Sequence, residues 1–202
     1  MTKEIRTTTT PMEIREATDD QPMVIEGYAL KFNRASSPMG FGEYTFREQI
    51  DPHALDNADM RNAVALFNHD QSQVLGRNGV NLELSVDETG LRYVLTPPNT
   101  QLGRDLVENV RAGIISQSSF AFTIPDDSDA ERWTRDGDAE APYNRLIRSI
   151  DHIYDVSPVT TPAYPDTEVK VGARSLDAVK ALDLPPKWQI ERQKMILLQG
   201  LD

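Results

Sequence analysis

Cysteine does not occur in the 202 residues. Its absence excludes disulfides, thiolate-bound zinc and a cysteine nucleophile together. Positive charge is scarce as well: 21 lysines and arginines stand against 32 aspartates and glutamates, for a net charge of -11 and a pI near 4.7. Nucleic acids and anionic membranes both select a basic footprint, so neither is an expected partner. Nowhere do about 18 uncharged apolar residues follow one another, and residues 1–6 lack the apolar segment of a secretion signal. The chain therefore reads as a soluble, unexported protein. No internal repeat and no metal-ligand spacing occurs, so neither a metal nor a cofactor is expected. Histidine is rare too, and imidazole chemistry is limited to His53, His69 and His152.

What is present suits one globular domain with polar appendages. Two β-prone stretches, one through Arg15 and one over 24–33, flank the turn-forming residues 18–22 and predict a hairpin. Alternation over 43–50 predicts a strand, and Asp51-Pro52 predicts a short helix over 53–58. The apolar run 62–67 has strand length and stops at Asn68-His69-Asp70-Gln71, which places His69 at a strand end. Strict alternation over 80–86 and 91–96, across Asp87-Glu88-Thr89-Gly90, predicts a second hairpin. Leu102, Leu106 and Val110 keep helical spacing over 100–112, and Gly113 supplies the stop.

A strand is expected over 114–125. Residues 126–140 hold seven acidic side chains against two arginines without periodicity, and read as a solvated loop. Residues 144–159 read as strand, ended by the turn at 160–165. Beyond Arg174, helical patterns at 176–182 and 190–198 are separated by Leu184-Pro185-Pro186-Lys187. The expected division is a main domain over 1–173 and a helical tail over 174–202.

A general base working near neutral pH is most often an imidazole, and His69 is the best placed of the three. Hydroxyl nucleophiles cluster in 116–119, ahead of Phe120-Ala121-Phe122. Strand alternation puts Ser118, Phe120 and Phe122 on one face and Ser119, Ala121 and Thr123 on the other. The small-residue face leaves room for a substrate backbone, which favours Ser119, with Ser118 as the alternative. An acid that orients the imidazole completes such a set. Asp155 stands between apolar neighbours, where a carboxylate is costly unless paired. His152 is the alternative third member and Asp151 a weaker one. Arg145 and Arg148 are the candidate arginines for an oxyanion donor, beside backbone N–H groups.

Five pieces now stand in order along the chain: Asn68-His69-Asp70; Leu75-Gly76-Arg77; Gly103-Arg104-Asp105-Leu106; Gly113 with Ser118-Ser119-Phe120-Ala121-Phe122; and Asp155-Val156-Ser157 leading to Ala163. Together they resemble the prohead maturation proteases of tailed bacteriophages, over about residues 27–165. The resemblance implies a mainly β fold with peripheral helices (α+β), built on a herpesvirus-protease-like β-barrel. It also implies a serine endopeptidase that cleaves scaffold and major capsid protein inside the prohead, within the bacterial host cytoplasm, without a cofactor. The family's histidine carries over to His69 and its serine to Ser119. A glutamate is common where Asp155 stands, and the related herpesvirus enzymes use a second histidine, which keeps His152 open. Gln117-Ser118 replaces a more usual glycine and methionine, and Ala121 replaces glycine. Portal docking, self-cleavage of the tail and a homodimer are further expectations. The alternative is a catalytically inactive capsid-assembly or scaffold protein on the same fold.

Overall fold

The computed structural model describes residues 2–8, 10–41, 44–160, 171 and 173–184. In chain order the first nine strands are β1 (Glu4–Thr8), β2 (Glu13–Arg15), β3 (Val24–Lys31), β4 (Met39–Phe41), β5 (Tyr44–Ile50), β6 (Val64–Phe67), β7 (Asp70–Arg77), β8 (Leu82–Val86) and β9 (Gly90–Leu95). The helix α1 (Gln101–Arg111) follows, then β10 (Gln117–Thr123), β11 (Glu131–Thr134), β12 (Tyr143–Ile147), β13 (His152–Val159) and the helix α2 (Ala173–Ala181). Among the described residues the chain is mainly β with two short helices. The strands form three sheets in the orders β1-β10-β13-β6-β7, β11-β12-β5-β4 and β2-β3-β9-β8. None of the three closes on itself among the described residues, so the hydrogen bonding draws open sheets where the resemblance implied a barrel.

Both expected hairpins form: β2 pairs with β3, and β8 with β9, antiparallel in each case. In α1 the Thr100 hydroxyl accepts the Gly103 N–H at 3.1 Å, satisfying one of the helix's free donors. Gly103, Leu106, Val107 and Val110 form its buried face. A side chain at Gly103 would put its first carbon 2.0 Å from the Pro98 carbonyl oxygen, so only glycine lets the incoming chain cross the helix this closely.

The main core lies where Phe120, Phe122, Ile153 and Val156 of the first sheet meet Ile25, Leu30, Leu91 and Leu95 of the third. A smaller cluster joins Phe46, Trp133, Tyr143 and Val179, so α2 packs on the second sheet through Val179. The Ser175 hydroxyl donates to Glu131 at 2.5 Å, and Tyr143 donates to Asp183 at 2.6 Å. The division expected between 173 and 174 therefore falls inside a helix that is seated on the second sheet.

Three expectations are corrected. Residues 52–57 form consecutive turns, closed by i→i+3 bonds such as Ala54 N–H to Asp51 O, and no α-helix. Asp51 does cap His53 N–H at 2.9 Å, but six residues are too few to repay helix nucleation. Residues 131–134 of the acidic stretch are a strand, because Glu131 and Trp133 alternate inward. The stretch 144–159 splits into β12 and β13. The turn at 161–165 and the helix at 190–198 lie outside the described residues.

Candidate active site

Strand alternation sorts β10 into two faces. Phe120 and Phe122 enter the core, while Ser119 and Ala121 share the opposite face with the paired residues Ser157 and Asp155 of β13. The pairing is irregular between Ala121 and Phe122, where a bulge leaves Tyr154 unpaired. Through this extra residue Ile153 and Val156 both face the core, although a regular strand would point them to opposite sides.

His69 arrives from the next strand over. β6 runs parallel to β13, and its hairpin to β7 turns on Asn68 and His69, with Phe67 opposite Asp70. Both turn residues are left-handed, at φ 52° and 59°, the geometry of a type I′ turn. Asparagine and histidine tolerate this region better than other side-chain-bearing residues. The turn is tied to the end of β13: Asn68 N–H donates to Pro158 O at 3.0 Å, and Asn68 Oδ1 accepts Thr160 N–H at 2.9 Å.

The result is a continuous row. His69 Nε2 lies 2.6 Å from Ser119 Oγ, and His69 Nδ1 lies 2.5 Å from Asp155 Oδ1. Ser119 and Asp155 have no exposed surface, whereas the imidazole keeps a 15% opening to solvent. Ser157 donates to Asp155 Oδ1 at 2.9 Å, and Lys3 donates to Oδ2 at 3.1 Å. Burial pushes the Asp155 carboxyl upward, but its bond and charge partnership with His69, and then those with Lys3, carry it below the usual carboxylate range. An ionised Asp155 accepts a hydrogen bond from Nδ1–H and leaves Nε2 as the acceptor facing Ser119. The Arg6 carbonyl, 2.9 Å from Ser119 Oγ, is a second acceptor for the same hydroxyl. One hydroxyl proton serves one of them at a time, so transfer to the imidazole requires it to leave Arg6. Chemically, the row can deprotonate a hydroxyl and stabilise the resulting imidazolium.

The other sequence candidates lie elsewhere. Ser118 points into the core, 2.6 Å from the Tyr93 hydroxyl, whose pKa burial pushes up to about 12. His152 bonds Asp151 at 2.7 Å and stacks on Tyr154, away from Ser119. His53 bonds Asp56 at the surface. Arg145 is no oxyanion donor: it is fully buried, bonding Glu4 at 2.6 Å, Glu48 at 2.7 Å and Glu131 at 2.7 Å. Arg6 joins this cluster through Glu4 and Glu48. Burial would lift the Glu48 carboxyl, but Arg6 and Arg145 hold it low. Arg148 is exposed.

Sequence reasoning missed Lys3, Arg6 and Ser157. Lys3 and Arg6 carry no local signal, since they meet the site through pairing across more than 100 residues. Ser157 had one: it stands two residues from Asp155, on the same strand face. Among the described residues no cluster of His, Asp and Glu could hold a metal ion.

A buried serine, an imidazole on a left-handed turn and a desolvated carboxylate are thus gathered from two paired strands and the hairpin turn beside them. The chain belongs to the caudovirus prohead serine protease family, whose model matches residues 10–182. It is also similar in structure to the capsid assembly protease gp21 of bacteriophage T4, at 16% identity and a TM-score of 0.46, over 79% of this chain and 98% of that one. No curated protein matches the sequence.

Proposed function

We propose that the chain is a serine endopeptidase of capsid maturation, cleaving the major capsid protein and its scaffold segment inside the assembling prohead. His69 takes the Ser119 proton as the oxygen attacks the scissile carbonyl, Asp155 stabilises the imidazolium, and water releases the acyl-enzyme. The observation that carries this reading is the unbroken hydrogen-bonded row Ser119–His69–Asp155, in a chain of the prohead serine protease family. Portal protein and the chain's own tail are further proposed partners, by docking and self-cleavage, and a homodimer is proposed as its assembly.

The test is co-expression of Ser119→Ala with the capsid protein, followed by mass spectrometry. Cleavage should be lost, and undiminished cleavage would remove the assignment. Labelling with a serine-directed phosphonate separates an enzyme from an inert scaffold protein on the same fold, since one serine should be modified in the first and none in the second.

A further inference from the structure

We propose that Lys3 is a positioning residue of the catalytic centre, holding the Asp155 carboxylate and setting, through its charge, the pH range in which His69 is free to accept a proton. The proposal rests on the peptidase reading and deepens it. Lys3 stands one residue before β1, the edge strand that pairs with the serine-bearing strand in the register Thr7 opposite Ser119. Its ammonium lies 3.1 Å from Asp155 Oδ2 and 5.3 Å from the centre of the Tyr154 ring. The lysine side chain keeps 40% of its surface exposed while Asp155 keeps none, so the ammonium covers the solvent side of a carboxylate that is otherwise enclosed.

Placement of so long and flexible a side chain depends on the backbone behind it. Glu4 and Arg6 point to the other face of β1, into the buried cluster with Glu48 and Arg145. That cluster pins the strand, and the strand presents Lys3. The lysine contact and the cluster are two sides of one short element.

The chemical consequence follows from charge. An unaccompanied aspartate beside an imidazole favours imidazolium, and an enzyme whose base is already protonated is idle. A lysine on the far carboxylate oxygen offsets that bias while leaving Oδ1 to Nδ1–H and the Ser157 hydroxyl. Other charges near the site are occupied. Asp70, next to His69, accepts from Ser72 and Gln73. Asp151 and His152 pair with each other, and the Arg6 guanidinium faces Glu4 and Glu48. Among the described residues Lys3 is the one lysine or arginine in contact with Asp155.

The experiment compares Lys3→Met, Lys3→Gln and Lys3→Arg with the parent chain. The acidic limb of kcat/KM should move up by about half to one pH unit in the two neutral variants and stay in place in Lys3→Arg. In parallel, the His69 imidazole is titrated by NMR in a Ser119→Ala background, where no turnover is needed, and should move the same way. An unmoved imidazole titration in both neutral variants would overturn the proposal. A moved titration combined with undiminished cleavage by Ser119→Ala would keep the coupling of Lys3 to His69 and remove the peptidase assignment.

Discussion

A carboxylate without exposed surface is costly unless donors surround it, and Asp155 has three: the imidazole, the Ser157 hydroxyl and the Lys3 ammonium. Because its folded pKa lies below the ordinary value of about 3.9, it contributes stability that is present above that pH. The contribution is lost as pH falls through the lowered value. Urea unfolding should therefore find the parent chain's advantage over Asp155→Asn shrinking from pH 6 to pH 3. Turnover by Asp155→Asn should fall by up to about ten-thousandfold, as in serine-protease triads that lose their acid, while His152→Ala should leave it unchanged. At this scale the sequence was legible where alternation and chemistry agree: Ser119 differs from Ser118 in facing away from the phenylalanines. Lys3 was illegible because nothing near it in the chain requires a charge.

Among the elements, the turn carrying His69 is the most demanding, since two successive residues with side chains are left-handed. Asn68→Val puts a β-branched residue there, and should cost about 1–2 kcal/mol in urea unfolding and lower kcat/KM by displacing the imidazole. Asn68→Gly keeps the turn and gives up the bond to Thr160, so it should lose less of both. Hairpins and α1 could be read in advance because their signals are local: alternation, turn residues, a cap and a stop. The strand β11 could not, since a count of acidic residues averages away the alternation by which Glu131 and Trp133 turn inward.

For the whole molecule, the buried cluster of Arg6, Arg145, Glu4, Glu48 and Glu131 ties β1 and β5 to β11 and β12. Arg145→Met leaves three carboxylates short of a partner, and should cost about 3–5 kcal/mol, read from the urea midpoint. The same cluster shows why an arginine near the site strands was misread as an oxyanion donor: its acidic partners lie up to 141 positions away. Long-range pairing, above all the parallel match of β13 with β6, is likewise what brings His69 to Ser119, and no local pattern announces it.

The bulge at Tyr154 has a consequence for heredity. A strand with one residue more than its neighbour can lose that residue, and deletion of Tyr154 would restore an even count opposite β10. Ile153 would then stand directly before Asp155 and two positions from Val156, so regular alternation alone would keep both facing the core. The facing of this strand thus survives point substitution and, at this one position, even the loss of a whole codon.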